Sequence, residues 1–141
     1  FSPIMVAFAM AVGTFLPALL FFLLGRGEAE APTYTQALSA TAVPNLVLVP
    51  QQVVITLLAL LRPVGGATPD KLSPTSLGFY LPVGNPKLGA LLRHVDPFFI
   101  GVYVLTYLAL RHLLRFSEGK AWLGTLLCAA TTLGFRVMGA N

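Results

Sequence analysis

Residues 96–116 read DPFFIGVYVLTYLALRHLLRF, residues 117–120 read SEGK, and residues 121–141 read AWLGTLLCAATTLGFRVMGAN. Each apolar run has about the 20 residues that cross a bilayer core at roughly 1.5 Å rise per residue. A turn this short joins them in one way, as two antiparallel helices side by side. The stretch is therefore expected to form a transmembrane hairpin.

Composition extends the reading outward. The 141 residues are 56% hydrophobic and 10% charged, against about 25% charged in soluble domains. Mean hydropathy is +0.80. There are too few charges to build a polar exterior, so the fold class predicted is all-α, a polytopic helical bundle forming one membrane domain over residues 1–141. The net charge of +4 is too small and scattered for nucleic acid, and in a membrane protein such residues mark cytoplasmic loops and anionic lipid. The single cysteine, Cys128, lies inside an apolar run, so no disulfide framework is expected.

Four spans are expected, near residues 3–24, 44–61, 97–115 and 120–139. The first run carries no charge and has no basic segment or cleavage site of a signal peptide. Pro17 should kink it, and Ala9 with Gly13 forms a small-residue pair suited to close helix packing. After a polar loop at 25–32, Thr33 and Gln36 match a capping box. A short helix is expected to about residue 42, then a break, then a span from about Pro44. Gln51 and Gln52 place amides within that apolar layer. Such residues either bond to a neighbouring helix or mark a transport site.

Residues 62–95 form one long connection, too rich in Pro and Gly to span. Ser73-Pro74 and Asn85-Pro86 each look like a helix start, a cap followed by proline. After the second, Leu88, Leu91, Leu92 and Val95 make an amphipathic stripe with Lys87 and Arg93 off it, suited to lying on the membrane surface. Asp96-Pro97 repeats the device, so Asp96 reads as a cap.

Arg111, His112, Arg115 and Lys120 gather at the hairpin turn, with Glu118 alone in that turn to offset them. They are expected to contact lipid headgroups or an acidic partner, on the cytoplasmic side by the positive-inside rule. The 25–32 loop then falls on the same side. On the last helix Ala121, Gly124, Cys128 and Thr131 form a small-residue stripe, so Gly124 and Cys128 should face another helix, and Leu123 and Leu127 lipid. Arg136 can snorkel to the far interface.

A search for chemistry yields little. No phosphate loop, zinc-protease motif or nucleophile elbow is present, so no catalytic residue and no metal site is predicted. His94 and His112 are 18 positions apart, about 27 Å on a helix at roughly 1.5 Å per residue, and cannot share an ion. Each is a weak candidate for a single axial ligand to a haem or pigment. No cofactor is predicted, although bound lipid fits the composition.

The order of features resembles the bacterial form of the Yip1-type membrane domain. The resemblance rests on TYTQALSATAVPNLVL, SPTSLGFYLP, LGALLRHVDPFFIGVYVLTYLAL and RFSEGKAW. The matching positions are Tyr34, Gln36, Ala37, Leu38, Pro44, Asp96, Phe98, Lys120 and Ala121. The chain departs from the pattern at Val102-Tyr103, where a Trp is usual, and at Arg111-His112, which replace a small Gly-Leu end. The family has five spans, so the resemblance implies either a further helix before Phe1 or a shortened relative. It implies a membrane scaffold, and transfers no binding residue.

The function expected is a non-catalytic integral membrane scaffold or accessory subunit of a larger complex. The alternative is an oligomeric transporter or lipid-handling protein using the Pro-broken second helix. Expected partners are membrane lipids and other membrane subunits, with no nucleic acid and no soluble small-molecule substrate. The expected location is the bacterial inner membrane.

Overall fold

The computed structural model describes residues 3–61, 73–81 and 83–139. Among them the regular structure is entirely helical. The order is α1 (Pro3–Leu24), a 3-10 turn (Gly25–Gly27), α2 (Tyr34–Asn45), α3 (Leu48–Leu61), α4 (Leu77–Tyr80), α5 (Pro86–His94), α6 (Pro97–His112) and α7 (Glu118–Met138). The chain divides into two compact units, residues 1–45 with 103–129 and residues 46–102 with 130–141. α6 and α7 each contribute to both.

Capping explains where several helices begin. Thr33 N–H donates to Gln36 Oε1 at 3.0 Å and Gln36 N–H donates to Thr33 Oγ1 at 3.3 Å, the reciprocal pair of a capping box. Asn85 Oδ1 accepts from the N–H groups of Lys87 and Leu88 ahead of α5, with Pro86 in the first helical position, where no N–H is needed. Ser117 Oγ accepts from Lys120 N–H at 3.4 Å and opens α7.

Two expected boundaries move. α2 runs through Pro44 to Asn45, and the break falls at residues 46–47. Pro50, not Pro44, decides this: it stands third in α3, in the first turn, where its missing N–H would have no intrahelical partner. Ser73-Pro74 starts no helix. Residues 73–76 form a turn closed by Ser76 N–H to Ser73 O at 3.3 Å, and the Ser73 hydroxyl is engaged elsewhere.

In the first unit Phe21, Leu110, Leu114 and Phe116 close over Ala37, Ala40 and Ala121. Small residues on α2 and α7 let these large ones enter. A Cβ on Gly124 would lie 2.7 Å from Leu110 Cδ1 and 3.5 Å from Phe21 Cε1. Leu110 is fully buried and has little room to yield. Tyr107 of α6 meets Trp122 of α7 at 4.9 Å between ring centroids.

α6 stops in an unusual way. Leu113 and Leu114 N–H both bond Ala109 O, and Phe116 N–H reaches Leu110 O at 2.9 Å. Arg115 between them takes φ 55°, the left-handed conformation that reverses a chain at a helix end. The helix therefore ends at His112, not at residue 115.

In the second unit α4 and α5 lie close. A Cβ on Gly78 would come 2.8 Å from Arg93 N, and Leu77 N–H bonds Val95 O at 3.0 Å. α5 buries Gly89, Ala90 and His94, which leaves Leu88, Leu91 and Val95 40–46% exposed. The leucine stripe faces away from the unit that carries it.

α7, with 21 residues, is long and apolar enough to cross a membrane. α2 with α3, and α5 with α6, pass that test only as bent pairs, the second bent by 61°. The apolar stretch Ala11–Gly27, in α1 and the 3-10 turn, is shorter than a span. One span, or up to three, is thus supported by length and composition. Residues 62–72, which hold Arg62, Pro63 and Lys71, and Pro82 lie outside the described residues.

Candidate functional site

Asp96 is fully buried in the second unit, at 0% exposure. A polar group there must be bonded, because an unmet buried donor or acceptor costs roughly 1–3 kcal/mol. Its two oxygens divide the work. Oδ1 accepts from Phe98 N–H at 2.8 Å, capping α6 as expected. Oδ2 accepts from Gln51 Nε2 at 2.8 Å, Ser73 Oγ at 3.0 Å and Thr75 Oγ1 at 2.6 Å. Gln51 Nε2 also donates to Ser73 Oγ at 3.2 Å.

Each donor is delivered by local structure. Pro50 restarts the helix, so Gln51 lies in the opening turn of α3, and it is 4% exposed. The 73–76 turn places Ser73 and Thr75 on one carboxylate oxygen, Ser73 buried and Thr75 exposed. The negative charge sits at the N-terminus of α6, where the helix dipole favours it. Gln52 is exposed on α3, so the two adjacent amides have different roles. Chemically the arrangement is a charge-assisted knot that ties the connection before α4 to α3 and α6.

His94 lies beside it. Its ring stacks on Phe99 at 4.5 Å, and the Arg136 guanidinium lies 4.4 Å from the Phe99 centroid. Arg136 therefore packs against an aromatic face. Among the described residues no group of three or more His, Cys, Asp or Glu is placed to hold a metal ion.

The basic cluster lies in the first unit and has partners that its own hairpin does not supply. Arg115 Nη1 is 2.7 Å from Glu30 Oε2, and Lys120 Nζ is 2.7 Å from Glu28 Oε1. Lys120 Nζ also donates to Leu24 O at 3.3 Å, and Arg111 Nη1 donates to Phe116 O at 3.1 Å. His112 is exposed. The expectation that Glu118 alone offsets these cations is corrected: the 25–32 loop brings two carboxylates to the same end of the unit. Gly25 permits this, since a Cβ there would lie 2.4 Å from the Pro32 ring.

The packing residues separate likewise. Gly124 is buried against Leu110 and Phe21, Cys128 is half-buried against the same core, and Leu123 and Leu127 are exposed. Gly13 has no such neighbour: a Cβ there would meet nothing within 4 Å. α2 has 12 residues against the 22 of α1 and does not cover its full length. The side chain of Ala9 lies outside the described residues.

Sequence reasoning read both Ser73 and Asp96 as independent caps and missed that they share one network. The available signal was Gln51, an amide in an apolar helix that requires a partner. No protein-family model, no curated protein and no solved structure matches this chain.

Proposed function

We propose that this chain is an integral membrane scaffold or accessory subunit, non-catalytic, with four membrane crossings and the charged end of its first unit in the cytoplasm. The observation that carries the proposal is the distribution of apolar side chains. Phe15, Leu19 and Leu23 on α1, Val53 and Leu57 on α3, Ile100 and Val104 on α6, and Leu126 and Phe135 on α7 are all 44–61% exposed, while in the first unit's core Ala37, Ala40, Ala121 and Gly124 let Phe21, Leu110, Leu114 and Phe116 pack closely. Large apolar residues facing outward and small ones at the close approaches between helices suit a lipid solvent. Exposed apolar surface of this extent marks lipid or protein contact.

Four crossings require α1 to span and each bent pair to act as one span. The Yip1-type resemblance supports a polytopic helical bundle, with one crossing more than the four proposed here, and its scaffold role belongs to this proposal. The Asp96 knot supports a structural role, since its carboxylate caps α6 and ties α3 to the 73–76 turn.

The test is extraction followed by native purification of the full chain. The protein should remain in the membrane pellet at alkaline pH and migrate in mild detergent with stoichiometric membrane subunits. Release from the pellet overturns the membrane reading. A homo-oligomer with no other subunit overturns the accessory role and favours a transport or lipid-handling protein.

A further inference from the structure

Val12, Phe15, Leu16 and Leu19 fall at i, i+3, i+4 and i+7 on α1, and with Tyr34 they line an open, almost entirely apolar groove of about 380 Å³. Beyond Leu19, Phe22 meets Tyr34 edge-on at 5.9 Å. One turn further, the Arg26 guanidinium lies 5.4 Å from the Phe22 ring centroid. Apolar wall, aromatic pair and cation follow one another along a single helix edge.

The distances match one leaflet. Val12 to Leu19 is about 10 Å, and Leu19 to Arg26 about 11 Å, at the rises of an α-helix with a 3-10 end. Half a bilayer core is about 15 Å, and its headgroup layer adds about 5–7 Å. A chain lying in the groove with its phosphate at Arg26 has the length of a membrane phospholipid.

Charge selects the headgroup. Glu28 pairs with Lys120 and Glu30 with Arg115, so among the described residues both loop carboxylates are engaged away from Arg26. The same end carries Arg26, Arg111, Arg115 and Lys120 against Glu28, Glu30 and Glu118, one more cation than carboxylates. A guanidinium binds phosphate through paired N–H groups, and a second cation on the headgroup would be repelled there.

We infer that this groove is a binding site for one anionic phospholipid, its acyl chain along Val12, Phe15, Leu16 and Leu19 and its phosphate at Arg26. The inference rests on the membrane reading above and adds to it a ligand of stated chemistry. As a subunit contact the lipid would fill the part of α1 that α2 leaves open.

The experiment is native mass spectrometry of the full chain purified from membranes, with palmitoyl-oleoyl phosphatidylglycerol and phosphatidylcholine as probes. Wild type should retain one phosphatidylglycerol per chain, in preference to phosphatidylcholine by about fivefold, the factor for one cation at an anionic surface. Arg26→Gln changes an exposed side chain and should abolish the preference without loss of the folded protein. Val12→Trp fills the groove and should lower retention of both lipids. Equal retention of the two lipids by wild type, or an unchanged preference in Arg26→Gln, overturns the site while leaving the membrane reading intact. A disulfide dimer formed by Leu16→Cys in a Cys128→Ser background shows a second copy in the groove and overturns it too. Release of the chain from alkaline-washed membranes removes both claims together.

Discussion

Gln51 Nε2 lies 2.8 Å from Asp96 Oδ2, across 45 residues of sequence. The amide at the start of one helix and the cap of another are thus parts of one network. Their removal should have unequal effects. Asp96→Ala loses the cap and takes the acceptor from two buried donors, Gln51 and Ser73, and from the exposed Thr75 hydroxyl, a loss of about 3 kcal/mol. Gln51→Leu leaves the carboxylate with two hydroxyl donors and should cost about 1 kcal/mol. Thermal unfolding of the purified variants in detergent checks the order. Equal losses would mean that the two side chains do not share a partner.

Gly124 allows α7 to approach Leu110 and Phe21 more closely than a side chain permits. Gly124→Ala should destabilise by about 1–3 kcal/mol through overpacking. Gly124→Leu should do so by more, and Leu123→Ala, on the exposed side, by less than about 1 kcal/mol. Similar small effects at both positions would remove the close approach from the account.

Arg115 holds φ 55°, a conformation costing an L-residue about 1–2 kcal/mol. Arg115→Gly relieves that strain. It also removes the pair with Glu30, whose two side chains are 74% and 77% exposed and well screened by solvent. The variant should therefore be about 1 kcal/mol more stable than wild type, and Arg115→Lys should show no gain. A loss of stability in Arg115→Gly would mean that the ion pair, not the turn, dominates this position.

What was legible in the sequence was local. The Thr33–Gln36 capping box and the caps at Asn85 and Asp96 lie within three residues of the groups they satisfy, and each forms as spacing predicts. Helix existence followed from apolar run length, but the break between α2 and α3 was expected just before Pro44 and falls at 46–47, because Pro50, not Pro44, stands in a first turn. The pairing of Arg115 with Glu30 spans 85 residues, and no periodicity carries that information. The turn at 73–76 was misread because a serine before a proline suits a helix start and a tight turn equally. Only the depth of Asp96 separates the two, and depth is a property of the assembled chain.

Asp96 has a consequence for biogenesis. A ribosome makes Gln51, Ser73 and Thr75 before it makes Asp96, so all three side-chain donors exist when the acceptor appears. The carboxylate enters a socket already synthesised, and α6 is capped in the same event. A chain cut short before residue 96 can still bond Gln51 to Ser73 but lacks the carboxylate that accepts from all three donors. The knot thus records completion: the upstream helix and connection are locked only once the final hairpin has begun.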